Sequence, residues 1–214
     1  MTVVLETINL SKRFTGIIAT DDVSLRIEKG ARHALIGPNG AGKTTLINLL
    51  TGVLKPSSGR ILLDGEDITD VSTHKRVRLG IVRTFQINQL FGDLTPLETI
   101  GLAVSERRGQ GIDWWRIVGS RSDLVSESVE ILERFHLTDV IEERTAVLPY
   151  GKQRLLEIAV AIACRPRVLL LDEPAAGVPE DERHEILSAV AALPDDVARD
   201  PRVKAVYLGE PLYA

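Results

Sequence analysis

Alternation of apolar and polar positions opens the chain and predicts extended structure. Residues 2–10 (TVVLETINL) and 23–27 (VSLRI) alternate, and the turn pair Lys29, Gly30 follows the second run. Residues 31–37 (ARHALIG) run apolar into a glycine-rich loop, and 43–54 (KTTLINLLTGVL) take helical spacing, so strand, loop and helix succeed one another. Two more strands are predicted at 60–69, ending in a turn, and at 80–86. From about Asn88 to Tyr150 the period changes from two to about 3.6, with many charges. Within that region residues 121–137 place Val125, Val129, Leu132 and Phe135 on one helical face, with Ser122 or Asp123 as cap. A helix over 151–163, an apolar strand over 167–174 and a helix over 180–193 complete the pattern. The reading is an α/β core, residues 1–86 and 151–214, interrupted by a helical lobe, residues 87–150.

Composition alters little in this picture. The chain has 214 residues, 44% apolar and 26% charged, with net charge −4, which suits one globular domain with an inserted lobe and gives no basic footprint for nucleic acid. One cysteine, Cys164, sits in an apolar run and has no second thiol, as expected of a small buried side chain in a reducing compartment. No apolar run reaches the roughly 18 to 20 residues of a membrane span. If the protein works at a membrane, another chain holds it there.

Chemistry concentrates in two stretches. Residues 37–45 (GPNGAGKTT) fit G-x-x-x-x-G-K-[ST] between a predicted strand and a predicted helix. Gly37, Gly40 and Gly42 free the backbone to wrap a phosphate chain, with Pro38, Asn39 and Ala41 completing the loop. Lys43 is placed to reach the β- and γ-phosphates, Thr44 to hold Mg2+, and Thr45 to extend the cradle. Residues 168–174 (VLLLDEP) form an apolar strand delivering two carboxylates at its end: Asp172 for magnesium and Glu173 to polarise the attacking water, a role typically worth ~10²–10⁴ in rate. Gln86 ends the strand before the lobe, where it could reach both magnesium and water. Phe14 is an aromatic ahead of the loop that could stack on adenine or lie in the core.

In this order the motifs resemble the nucleotide-binding subunits of ATP-binding cassette (ABC) transporters. The stretch 148–163 (LPYGKQRLLEIAVAIA) looks like that family's signature and directly precedes the acidic, or Walker B, strand. Residues 80–98 (GIVRTFQINQLFGDLTPLE), 172–179 (DEPAAGVP) and 200–210 (DPRVKAVYLGE) are most similar to the ATPases of importers of branched-chain amino acids, urea or short amides. The resemblance implies a P-loop core with an antiparallel β edge and a helical lobe, hydrolysing ATP with magnesium. It further implies a head-to-tail pair of cassettes, identical or merely related, each ATP lying between one subunit's P-loop and the other's signature residues Pro149, Tyr150, Gly151, Lys152 and Gln153. Transmembrane permease subunits would dock in the groove between Gln86 and the lobe, fed by a periplasmic or extracellular solute-binding protein, with the chain peripheral on the cytoplasmic face. Phe14 takes the adenine role, Gln86 the hinge role, and Val178 and Pro179 the D-loop. Trp114 and Trp115 in the lobe either face the permease or pack within it.

The sequence departs from that family at three places. Pro149 stands where a serine hydroxyl is usual, which preserves a helix start and removes a donor. Pro179 replaces an aspartate-like D-loop residue. After residues 191–196 (AALPDD) the chain runs straight into 197–203 (VARDPRV), so a strand and its switch histidine are missing near Asp196 and Val197. The family's sheet sets that strand between the P-loop strand and the Walker B strand, and His33, His74, His136 and His184 are not positioned to replace the histidine. Losing several buried aliphatics at roughly 1.5–3 kcal/mol each leads to the expectation that the chain as written folds poorly or repacks, and that the polypeptide is longer by an omitted segment. Two other readings fit parts of the sequence: a nucleotide-binding switch without efficient hydrolysis, and a soluble ABC ATPase outside transport.

Overall fold

The structure, a computed structural model, describes residues 2–84, 90–109, 122–172, 174–197 and 205–208. It forms two compact units: residues 1–83, 166–173 and 194–214 in the first, and 84–165 with 174–193 in the second.

The first unit opens with a long hairpin. Strands β1 (Val3–Phe14) and β2 (Ile17–Glu28) pair antiparallel around a turn at Thr15 and Gly16, whose φ of 79° suits glycine. The second strand is therefore more than twice as long as its alternating segment 23–27 suggests. Helix α1 (Lys43–Leu50) follows, then β3 (Ser58–Leu63) and β4 (Glu66–Asp67). The single strand expected over 60–69 is instead a hairpin, because Asp64 and Gly65 at φ 49° and 85° make the two-residue turn that reverses the chain. Sheet order is β2-β1-β3-β4.

A second sheet in this unit joins β5 (Ile81–Arg83), β6 (Val168–Asp172) and β7 (Ala205–Leu208), all parallel, in that order. Every residue of β6 is buried, as its unbroken apolar run requires. The core of the unit gathers Leu5, Leu10, Leu46, Ile47, Leu49, Ile61, Ile81 and Leu170 from both sheets and α1. Residues 31–37 are not the regular strand expected before the glycine loop. Only Ala34 makes a bridge, and Arg32, His33, Ala34 and Ile36 are exposed, since extended backbone without a continuous ladder has nothing to bury against. Short helix α2 (Thr73–Arg78) carries Arg76, which is almost fully buried and donates to the carbonyls of Leu49, Leu50, Thr69 and Val71 at 2.7–2.9 Å. Burial pushes its guanidinium below the usual arginine range. It thereby caps the carboxyl end of α1.

The second unit packs α3 (Pro96–Arg107), α4 (Ser122–Arg134) and α5 (Tyr150–Ala163) against one another, followed by α6 (Glu180–Val197), of which residues 180–193 belong to this unit. Thr95 and Glu98 form a reciprocal capping box on α3, with Pro96 in its first turn. The buried face of α4 is Leu124, Ser128, Ile131 and Leu132, continued by Phe135 just beyond the helix, so Val125 and Val129 are only half-buried and the expected face is rotated. Ser128 can sit inside because its hydroxyl donates to the Leu124 carbonyl at 2.8 Å. Helix α6 runs past Pro194 to Val197, four residues beyond its predicted end. Among the described residues no helix is long and apolar enough to cross a membrane.

Candidate functional site

The glycine loop sits at the head of α1. Gly40 and Gly42 both take φ 83°, the left-handed region that side chains resist, and a Cβ on Gly42 would lie 2.1 Å from the Ala19 carbonyl oxygen of β2. A Cβ on Gly37 would press on Ala41 at 3.2 Å. The loop is thus folded tightly enough that only glycine serves at Gly42. The Ala41 amide donates to the Pro38 carbonyl at 3.1 Å, and the Lys43 ammonium donates to the carbonyls of Gly37 and, at 3.1 Å, Pro38. Asn39 and Thr44 are exposed and Thr45 is half-buried, while Leu46 and Ile47 anchor the helix in the core.

Asp172 closes β6. Its side chain is 9% exposed, and its Oδ2 accepts from the Arg83 guanidinium at 2.6 Å. The same guanidinium donates at 2.6 Å to the Asn48 side-chain oxygen on α1. Phe14, at the end of β1, is 44% exposed beside the hairpin turn, with the Lys12 ammonium 5.3 Å from its ring centre. The aromatic is therefore on the surface and not in the core. Gln86 and Glu173 lie outside the described residues, as do Trp114 and Trp115.

A magnesium–nucleotide fits the groups that are described. A glycine loop shaped for close backbone approach, a helix amino end, the Thr44 hydroxyl and the Asp172 carboxylate are hard oxygen and N–H partners, matching a cation that takes one or two protein oxygens and completes its shell with phosphate and water. Among the described residues no three or more His, Cys, Asp or Glu side chains gather into a metal cage of their own.

In the second unit Pro149 is the residue capping α5, with φ −52° and ψ 148° and no side-chain bond. The helix start survives the loss of the serine. The first-turn N–H of Gly151 donates to Glu182 of α6 at 3.0 Å, and a Cβ on Gly151 would collide with that carboxylate. Lys152 donates to the His136 carbonyl at 2.7 Å and to Asp139 at 3.3 Å; Gln153 donates to the carbonyls of Thr145 and Leu148. The Tyr150 hydroxyl donates to the Ala176 carbonyl at 3.4 Å. Val178 is buried and Pro179 exposed, its carbonyl accepting from the amides of Glu182 and Arg183. All four histidines are exposed. Cys164 is half-buried, and burial pushes its thiol up, so it is held as an inert thiol.

The pattern reading missed Arg76, Arg83 and Glu182. The family model of the ABC transporters matches residues 20–176, from β2 through the loop after Walker B. The chain belongs to the ABC transporter family. Among relatives, the high-affinity branched-chain amino acid transport ATP-binding protein BraF of Pseudomonas aeruginosa is 39% identical over 199 residues, covering 89% of this chain and 76% of the relative. The corresponding protein LivG of Escherichia coli K12 is 36% identical over 189 residues, with coverage of 86% and 74%. Solved structures agree on the fold. A nucleotide-free ATP-binding cassette of an ABC transporter superposes with TM-score 0.79 at 30% identity, covering 98% of this chain and 82% of that one. A cassette in its ADP conformation gives TM-score 0.81 at 31% identity, covering 100% and 83%. This ABC cassette thus has the α/β P-loop fold its motifs imply.

Proposed function

We propose that this ABC cassette is the ATP-binding and hydrolysing subunit of a membrane importer for branched-chain amino acids or related small amides or urea. The observation that carries the reading is the joining, in one unit, of the P-loop helix and the Asp172 carboxylate through Arg83, which brings together the two parts a magnesium–nucleotide requires. The names of the relatives support branched-chain amino acids as the transported class; the amides and urea rest on the motif resemblance alone. In this reading Phe14 stacks on adenine, residues 37–45 wrap the phosphates, Lys43 neutralises their charge, and Thr44, Gln86 and Asp172 hold Mg2+. Bound magnesium supplies charge neutralisation on the phosphate oxygens. Glu173 orients and polarises water. The signature residues 149–153 act on the ATP of a second cassette, identical or related, in a head-to-tail pair seated beneath permease subunits. The chain is then peripheral at the cytoplasmic face of the membrane, with a solute-binding protein as its indirect partner.

Glu173→Gln tests the assignment: ATP binding is retained and turnover falls by about 10² or more. Unchanged turnover sinks the role given to Glu173. A second reading, a switch that binds nucleotide without efficient hydrolysis, is favoured by Pro149 and by the engagement of the Gly151 N–H with Glu182. It expects negligible turnover in both proteins. Co-purification with permease subunits separates the importer from a soluble ABC ATPase.

A further inference from the structure

Arg83 stands at the end of β5, in register with Leu170 of the Walker B strand, and its side chain is only 11% exposed. Its guanidinium reaches two elements at once: Nη2 donates to Asp172 Oδ2 and Nη1 to Asn48 Oδ1, each at 2.6 Å. Asn48 lies four residues after Thr44 on α1, so both residues share one face of the P-loop helix. Two planar donors in one rigid group therefore tie the carboxylate of β6 to the helix carrying the hydroxyl expected on the metal. A lysine ammonium, a compact point charge, cannot make that span with fixed geometry.

We propose that Arg83 is a positioning residue for the magnesium–nucleotide. It fixes the Asp172 carboxylate and keeps it in register with Thr44 by anchoring on Asn48. The proposal rests on the ATP-binding reading above. Groups that orient a metal's carboxylate partner typically change metal affinity by about 10–100-fold when removed, whereas a plain structural ion pair lowers stability and leaves the metal dependence alone.

The test is equilibrium binding of a non-hydrolysable ATP analogue to the full chain, first in EDTA and then across a MgCl2 titration. In Arg83→Gln the affinity in EDTA stays within about twofold of wild type, because the glycine loop is untouched, and the MgCl2 concentration at half-saturation rises by about 10-fold or more. Arg83→Lys recovers only part of that rise. An unchanged or lowered half-saturation in Arg83→Gln overturns the proposal, and so does full recovery by lysine. If Arg83→Gln does not fold, Asn48→Ala carries the test, with a rise of several-fold expected and no change overturning it. A wild-type chain that fails to bind the analogue even with magnesium refutes the nucleotide reading itself, a result distinct from a shifted magnesium dependence.

Discussion

Glu127 in α4 holds the second unit together, and neutralising it gives a measurable, pH-dependent loss. Its two oxygens accept from Arg107 at 2.8 and 2.9 Å, from Arg108 at 2.6 Å and from Arg165 at 2.8 Å, with the Glu127 side chain 14% exposed. Burial alone would push this carboxyl up; the hydrogen bonds from Arg107 and Arg108 and the charges of Arg107 and Arg165 overcome it and hold the pKa at about 2, against an ordinary 4.5. At ~1.4 kcal/mol per pKa unit that gap has a ceiling of ~3.5 kcal/mol. Solvent reaches Arg165 and Arg108, so screening reduces it to ~1–2 kcal/mol. Because the folded pKa lies below the unfolded one, the contribution is complete above the unfolded value and is lost as pH falls from 4.5 toward about 2. Urea unfolding of wild type and Glu127→Gln near neutral pH should differ by ~1–2 kcal/mol, and the difference should narrow as the pH is lowered below about 4.5. A difference that is absent near neutrality, or that does not narrow with acid, refutes the reasoning.

Two further substitutions probe the P-loop unit. Gly42→Ala combines a left-handed φ with a Cβ 2.1 Å from the Ala19 carbonyl, so the loop must shift; analogue binding should weaken by about 10-fold or more, and an unchanged affinity measured by calorimetry contradicts the tight-loop geometry. Arg76→Met leaves the carbonyls of Leu49, Leu50, Thr69 and Val71 without their buried donor and should cost about 3 kcal/mol or more in urea unfolding; a loss under about 1 kcal/mol removes Arg76 as the cap of α1.

Much of the site could be read before any coordinates because its physics is local. Gly40 and Gly42 are required by backbone conformation, and Leu169, Leu170, Leu171 and Asp172 by a strand buried on both faces with an acid at its end. The parts that could not be read depend on distant partners. Arg76 and Arg83 look like surface arginines, since partners that bury them, the Leu50 carbonyl and the Asp172 carboxylate, are 26 and 89 residues away. The α4 face was hidden by Ser128, a polar residue whose own hydrogen bond lets it occupy the core. The start of α3 rests on a local feature, the reciprocal capping box of Thr95 and Glu98, which the pattern reading did not use. Glu182 gave no signal at all, because its meeting with Gly151 joins elements 31 residues apart.

The junction after α6 is where sequence and structure bear most directly on one another. The family resemblance implies a further strand beside Walker B, expected from a segment near Asp196. In the fold that edge of β6 is taken by β7, which pairs from Leu169 with Ala205 to Asp172 with Leu208. A short parallel strand in that place satisfies backbone groups along this edge of β6. It does not extend the sheet to residues 31–37, where Ile36 remains 62% exposed and Ala34 makes only an isolated bridge. The pairing with β7 therefore covers an edge of the strand that presents Asp172, and the segment leading into the glycine loop stays largely exposed. The loop must then be held from its other side, by Leu46 and Ile47 in the core, by Arg76 at the far end of α1 and by Arg83 through Asn48.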